Sequence, residues 1–128
     1  MSGKVARAAA RGRGYTAAMD RLDGMLRDMR AFAAEREWEQ FHDPKNLAMA
    51  VASEAGELAA ELRWIRGEDA DAHCREPEHR ARMADEVADV LITTLMLADR
   101  IGLDVAEVVA EKLKKNRAKY PVEEWKGR

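Results

Sequence analysis

Along most of the chain, apolar side chains recur at every third or fourth position, the spacing of one face of an α-helix. A first such segment spans about residues 20–37, with the apolar positions Leu22, Met25, Leu26, Met29, Phe32 and Ala33. A second spans about residues 45–65, with Val51, Ala55, Leu58, Leu62 and Ile65. No run alternates apolar and polar residues over the length of a strand. The pattern therefore predicts an all-α protein.

Local signals set the limits of the second predicted helix. A linker, residues 38–44, precedes it and ends in Asp43 and Pro44. Aspartate is a good N-cap acceptor, and proline is favoured in the first turn of a helix, so the two residues together predict a helix start. Gly67 and the polar residues 68–77 follow the second helix. We expect this stretch to be a loop.

Two further helices are predicted after that loop. The third covers about residues 78–100, and Gly102 stands where a left-handed C-terminal cap is expected. Asp104 is the expected N-cap of the fourth helix, which continues to about Lys119 and is stopped by Pro121. The sequence thus predicts four helices joined by short connections.

Short connections favour antiparallel packing of the second and third helices. Residues 91–98 of the third helix, LITTLMLA, carry no charge and are apolar almost all round. A helix of this kind is buried on more than one side, which a chain of this size achieves most simply with a second copy. We therefore expect a four-helix-bundle-type module that forms a homo-oligomer.

Composition supports one helical domain with a distinct N-terminal segment. Of the 128 residues, 36% are charged and 5% aromatic, and the net charge is −2. Residues 1–18 contain four basic residues and no acid, so we predict a basic extension at 1–18 and the folded domain at 19–128. The extension is interpreted as a variable segment, a transit peptide or a weak nucleic-acid tether. The rest of the chain is acidic, so nucleic-acid binding by the whole domain is not expected.

Cysteine content and hydropathy point to a cytoplasmic protein. Cys74 is the single cysteine, so no intrachain disulfide can form and a reducing compartment is expected. The longest uncharged run, residues 91–98, is much shorter than the ~20 residues that span a bilayer. No membrane association is predicted.

Two pairs of acidic residues form the candidate functional site. Glu54 and Glu57 lie three residues apart on the second helix, and Glu86 and Asp89 lie three apart on the third. Residues at this spacing project from one helix face, and Glu61 follows one turn later. Like charges at this spacing repel, so basic neighbours or a cation must compensate. Four carboxylates from two adjacent helices suit Mg²⁺ or Mn²⁺, which prefer hard oxygen ligands.

The acidic pairs have two other interpretations. A di-iron bundle would require Glu-x-x-His on two helices, and neither pair contains histidine. In a protein this rich in charge, the pairs can also be a solvated acidic face. Spacing alone leaves the metal site and the solvated face both open.

Longer motifs resemble the MazG-like nucleotide pyrophosphohydrolases, in particular the dCTP pyrophosphatase branch. The similarity runs from about Leu26 to Pro121. It rests on W-x-Q-F-H at residues 38–42, E-x-x-E at 54–57, E-x-x-D at 86–89 and K-x-x-x-N-R-x-x-Y-P at 112–121. The family signature has the same order of acidic motifs, separated by a loop.

This resemblance implies a fold, a cofactor and a reaction. It implies an all-α module in dimers or tetramers, and Mg²⁺, or Mn²⁺ in its place, held by Glu54, Glu57, Glu86 and Asp89. It also implies that water attacks the α-phosphorus of a nucleoside triphosphate, which releases the monophosphate and pyrophosphate. Cations at such a site neutralise the polyphosphate and polarise the attacked phosphoryl group. Glu57 or Glu61 is the candidate for taking the proton from water.

The resemblance further implies a set of substrate-binding residues. The tryptophans offer flat surfaces for a base, and the basic residues of the last motif would meet phosphates. Packing of the tryptophans and the helix dipole at the basic residues are the ordinary alternatives. The substrate-binding candidates are Trp38, His42, Trp64, Thr93, Lys112, Asn116, Arg117 and Tyr120.

Two departures from the family pattern affect the expected selectivity. Met29 stands where dCTP-specific relatives have histidine, and Thr93 stands where they have tyrosine. Neither residue belongs to the acidic motifs, so hydrolysis is expected to persist while cytosine preference is open. We expect dCTP or a modified dCTP as substrate. The alternatives are a broad-range or dUTP-type enzyme, a phosphoribosyl-ATP pyrophosphohydrolase, a nucleotide-binding regulator with little turnover, and a structural helical oligomer.

Overall fold

A computed structural model describes residues 17–128, with side chains from Arg21 onward. This part of the chain consists of helices and contains no strand, which confirms the predicted all-α class. The predicted basic extension lies almost wholly outside the described residues, and its interpretation stays a prediction. The helices are α1 (Ala17–Glu35), a 3₁₀ turn (Trp38–Phe41), α2 (Pro44–Leu62), α3 (Gly67–Arg75), α4 (Pro77–Arg100), α5 (Val105–Lys119) and the short α6 (Val122–Trp125).

The predicted start of α2 is confirmed by its cap. Asp43 is extended, and its Oδ1 accepts a hydrogen bond from the backbone N–H of Asn46 at 2.9 Å. The Asn46 side-chain Nδ2 donates to the Phe41 carbonyl oxygen at 3.0 Å, which ties Phe41 to the first turn of α2. The cap satisfies a backbone donor that has no partner within the helix.

The predicted connection between α4 and α5 is also confirmed. Gly102 has a φ of 74°, the left-handed conformation in which a side chain would be strained. Asp104 then caps α5 by accepting from the Glu107 backbone N–H at 3.1 Å. The two residues end one helix and start the next within a few positions.

The prediction of a loop at residues 68–77 is wrong, because α3 (Gly67–Arg75) occupies most of it. This helix is short and mostly polar, so it shows no apolar stripe of several turns for periodicity to detect. Acidic residues in its first turn and basic ones in its last turn match the helix dipole. The helix packs on α4, and the rings of His73 and His79 stack with centroids 3.8 Å apart.

The described chain divides into two units, one ending at Glu39 and one beginning at Gln40. In the first unit, Trp38 meets Phe32 edge to face, with ring centroids 5.6 Å apart. The guanidinium of Arg36 covers the same Phe32 ring at 3.7 Å. The predicted boundary between residues 18 and 19, and the predicted four-helix bundle, stay predictions.

The second unit is organised by the antiparallel pair of α2 and α4, as expected from the sequence. Glu61 of α2 pairs with Arg82 of α4, and Glu57 lies near Glu86. In these pairs the residue number on α2 rises as the residue number on α4 falls, so the two helices are antiparallel. The buried residues of this unit lie toward one end of the pair and are Leu47, Leu95 and Ala98.

Burial of residues 91–98 is one-sided within a single chain. Leu95 and Ala98 are buried, whereas Leu91 and Ile92 are 51% and 40% exposed. Val109 and Leu113 of α5 are exposed as well. None of the described helices combines the length and the apolar character needed to cross a membrane.

A candidate metal centre between two antiparallel helices

Three carboxylates converge where α2 and α4 pack together. Glu54, Glu57 and Glu86 each offer one oxygen, and these oxygens all lie within 4.8 Å of one another. Glu54 and Glu57 share a face of α2 because they are three residues apart, and the antiparallel register places Glu86 across from them. We call these three residues the acidic cluster.

Two oxygens of the acidic cluster are buried without a partner. Glu54 Oε2 and Glu86 Oε2 are withdrawn from solvent, and no described group donates a hydrogen bond to either. A carboxylate oxygen is an obligatory acceptor, and its burial without a donor or a cation is unfavourable. Glu57, the third residue of the cluster, is exposed.

The surroundings of these carboxyl groups favour their neutral forms. Partial desolvation raises the pKa of Glu54, and the negative charges of Glu57 and Asp89 raise it further. Desolvation also raises the pKa of Glu86, followed by the charges of Glu57, Asp89 and Glu61. All of these effects act in the same direction, so each of them raises the pKa.

This donor set fits an oxygen-preferring divalent cation. A cation between the three carboxylates would be a partner for the two buried oxygens and would offset the mutual repulsion. Asp89 is exposed and is not part of the three-oxygen group, but its charge acts on both Glu54 and Glu86. The structure thus brings three of the four predicted ligands together and leaves Asp89 at their edge.

Glu61, the alternative candidate for proton transfer, is engaged elsewhere. Its Oε2 lies 3.2 Å from the Nε of Arg82, and its side chain is 24% exposed. The sequence interpretation did not single out Arg82. Its position four residues before Glu86 on the same helix face is the signal that could have indicated it.

The predicted nucleoside-binding residues occupy separate places. Trp64 follows α2, is 84% exposed, and lines an open cleft of about 410 Å³ with residues of α3. The hydroxyl of Thr93 donates to the Asp89 carbonyl oxygen at 3.0 Å, within its own helix. His42 is half-buried beside the start of α2, and Trp38 belongs to the first unit.

The four predicted phosphate-binding residues lie on or next to α5. Lys112 and Asn116 are one turn apart, Arg117 follows, and Tyr120 caps the helix and packs edge to face on Trp125 at 5.0 Å. Within the described chain, no hydrogen bond or ion pair connects them to the acidic cluster. Their role in phosphate binding stays a prediction.

Comparison with known proteins identifies the family of this chain. Residues 53–128 match the MazG-like family, and this region contains both acidic pairs. The dCTP pyrophosphatase 1 of Rattus norvegicus is 41% identical over 101 residues, which cover 79% of this chain and 59% of that protein. The Homo sapiens protein of the same name is 40% identical over 100 residues, 78% of this chain and 59% of that protein. This chain thus spans about three fifths of the length of these curated relatives.

A solved structure agrees with the fold. A pyrophosphatase from Archaeoglobus fulgidus superposes with a TM-score of 0.70 at 34% identity, covering 85% of this chain and 97% of that one. The sequence match to the family extends over more than half of the 128 residues and includes all of α4 and the second half of α2, which carry the acidic cluster. The chain therefore belongs to the MazG-like family.

Proposed function

We propose that this protein hydrolyses a nucleoside triphosphate to the monophosphate and pyrophosphate, with Mg²⁺ or, in its place, Mn²⁺ as cofactor. The observation that carries the proposal is the acidic cluster with its two buried, unpartnered oxygens. A polyphosphate is strongly anionic and cannot approach such a cluster unless a cation separates the two. The names of the curated relatives support a substrate of the dCTP type, either dCTP or a modified form.

Within this proposal the acids of α2 and α4 hold the cation, and one acid also takes a proton. Glu54, Glu57, Glu86 and Asp89 would hold the cation, which would supply charge neutralisation and activation of water. The oxygen of water bonds to the α-phosphorus, and the bond from that phosphorus to the bridging oxygen breaks. Pyrophosphate leaves with the electron pair, and a carboxylate takes the proton. Glu57 is favoured for this step over Glu61, because Arg82 holds the Glu61 carboxylate.

The proposal includes a homo-oligomer, dimeric or tetrameric, in which two chains contribute to one nucleoside pocket. Trp64 lies two residues beyond the end of α2, and the last residue of that helix, Leu62, is about 12 Å from Glu54 at the helical rise. Thr93 lies beyond Asp89 on α4, which runs in the opposite direction. The two residues therefore flank the acidic cluster on opposite sides, and one base cannot contact both within one chain.

A hydrogen bond of Thr93 favours the alternative function, an enzyme with broad selectivity for the nucleotide base. The Thr93 hydroxyl donates its hydrogen to a backbone carbonyl of its own helix, so it has no hydrogen to offer a base. A site without a positioned donor discriminates weakly between bases. If no other group of the site recognises the base, we expect a broad-range or dUTP-type triphosphatase.

The test is pyrophosphate release from a nucleotide panel, with and without Mg²⁺. The panel comprises dCTP, 5-methyl-dCTP, dUTP, dTTP, dATP, dGTP and the ribonucleotides. We expect magnesium-dependent release that the exposed-residue control Glu123→Gln retains and Glu57→Gln loses. Nucleotide binding by folded protein without release across the panel would overturn the hydrolase assignment and favour a regulator. Absence of both binding and release would favour a structural oligomer.

A further inference from the structure

A second charged group adjoins the acidic cluster. Three guanidinium nitrogens of Arg82 each have an acceptor: Nε faces Glu61 Oε2 at 3.2 Å, Nη1 faces Glu78 Oε1 at 3.1 Å, and Nη2 faces His79 Nδ1 at 2.8 Å. Because arginine can only donate, the Nδ1 of His79 is the acceptor in this contact. The guanidinium is therefore fixed by partners on two helices.

This group lies one helical turn from the acidic cluster on both helices. Glu61 follows Glu57 by four residues on α2, and Arg82 precedes Glu86 by four residues on α4, so both pairs share a helix face. The charge of Glu61 also contributes to the raised pKa of Glu86. Without its ion pair, the Glu61 carboxylate would be a further oxygen donor beside the cluster.

We propose that Arg82 is a positioning residue that holds Glu61 away from the cation site and thereby restricts the ligands to Glu54, Glu57, Glu86 and Asp89. This inference rests on the proposed function, since it concerns the cation of that site. Glu61 bound to the cation would take a coordination position and add negative charge where the triphosphate must enter. Arg82 prevents both effects.

Two simpler roles do not explain the geometry. As a brace between helices, an exposed ion pair contributes little to stability, and Arg82 is itself about half exposed. As a general source of positive charge, a lysine would serve equally well, but a lysine has no planar fork with which to meet three separate acceptors. The three contacts fix the direction of the guanidinium, and that direction determines where Glu61 is held.

The experiment measures Mn²⁺ affinity of the nucleotide-free full chain by electron paramagnetic resonance. Four proteins form a double-mutant cycle: wild type, Arg82→Gln, Glu61→Gln and the double variant. We expect Arg82→Gln to tighten Mn²⁺ binding about threefold or more, a coupling of the size that contacting residues show. In the Glu61→Gln background the same change has no such effect, because no carboxylate is released.

Matched variants separate positioning from charge. Arg66→Gln removes the same charge from the exposed Arg66–Glu68 pair of the same unit and is expected to leave Mn²⁺ affinity unchanged. Arg82→Lys keeps the charge and loses the fork, so part of the tightening is expected. If Arg82→Gln loses helicity in circular dichroism, Arg82→Lys replaces it in the double-mutant cycle.

Each remaining outcome decides between the two proposals. If Arg82→Gln changes Mn²⁺ affinity equally with and without Glu61, or if Arg82→Lys equals wild type, the positioning role is overturned while the proposed cation site stands. If the wild-type chain binds no Mn²⁺, the proposed cation site and the positioning role are both overturned. Pyrophosphate release by the wild type, measured in parallel, shows whether hydrolysis fails with them.

Discussion

Among the side chains of residues 21–128, Glu54 and Glu86 are the acidic residues that each have one buried oxygen without a hydrogen-bond partner. Desolvation, and then neighbouring negative charge, raises the pKa of both carboxyl groups above the ordinary value of 4.5. A pKa that is higher in the folded than in the unfolded chain stabilises the fold at low pH. This contribution is complete below the unfolded-state value and is lost as the pH rises through the folded-state value. At neutral pH the ionised cluster therefore opposes folding when no cation is bound.

The first prediction concerns Glu86→Gln, which removes one of these charges while keeping the shape of the side chain. Without metal at pH 7.5, we expect the variant to melt a few degrees above wild type, because repulsion within the cluster is reduced. The difference should shrink as the pH falls toward 4.5, because the raised pKa of Glu86 makes the wild-type carboxyl group take up its proton above that ordinary value. Thermal melts in chelator across this pH range measure it, with Glu123→Gln as the exposed control. A variant less stable than wild type at pH 7.5 would contradict the assigned repulsion.

The second prediction compares the two candidate proton acceptors. Glu57→Gln removes a carboxylate of the cluster and should lower kcat for pyrophosphate release by about 100-fold or more, the range of general-base and metal-ligand losses. Glu61→Gln should change kcat less than about tenfold, because its carboxylate is bound to Arg82 rather than to the cluster. The measurement is steady-state release at saturating Mg²⁺. A larger loss for Glu61→Gln would assign the proton transfer to Glu61 instead.

At the scale of secondary structure, α2 and α4 give the acidic cluster its geometry. Each helix contributes acids at a fixed spacing, and the antiparallel register sets which acid faces which. The first turn of α2 is held by Asp43, eleven residues before Glu54. Stability of the helix start and geometry of the cluster are thus separable properties.

The third prediction uses that separation. Asp43→Ala removes the acceptor for the Asn46 backbone N–H and should lower the free energy of unfolding by about 1 kcal/mol, the usual value of an N-cap. Asp43→Asn retains an acceptor and should stay within a few tenths of a kcal/mol of wild type. Chemical denaturation measures both, and kcat should be unchanged in both. A large loss of kcat in Asp43→Ala would show that the cap also shapes the cluster.

Local signals predicted the helices better than they predicted the contacts between them. Asp43 and Gly102 mark their helix ends because caps are local interactions. Helix α3 was missed because nine mostly polar residues carry too few turns to show a periodic stripe. The Glu61–Arg82 pair joins positions 21 residues apart, and only the register of two packed helices brings them together. The spacing and the family resemblance indicated the four acids as candidate ligands, whereas their unequal burial required the structure.

At the scale of the whole molecule, many large apolar side chains of residues 21–128 are exposed in the single chain. Leu91, Ile92 and Leu113 are among many exposed large apolar side chains, and few side chains of residues 21–128 are buried. Where exposed apolar side chains form a contiguous patch, that patch usually marks an interface. A second copy is the occupant most consistent with Trp64 and Thr93 flanking the acidic cluster on opposite sides.

The fourth prediction tests whether two chains share one nucleotide site. Glu57→Gln and Trp64→Ala are co-expressed in equal amounts. If a site takes Glu57 from one chain and Trp64 from the other, random pairing in a symmetric oligomer leaves both residues intact in about a quarter of the sites. We therefore expect about a quarter of wild-type activity at low substrate concentration. If each site used residues of a single chain, no site would contain both, and only the residual activities would remain. Co-expression of Glu57→Gln with Glu86→Gln is the control, because both residues belong to the acidic cluster of one chain. Activity that is restored by Glu57→Gln with Trp64→Ala, but not by Glu57→Gln with Glu86→Gln, would show two things. The nucleotide pocket is shared between two chains, and the acidic cluster belongs to a single chain.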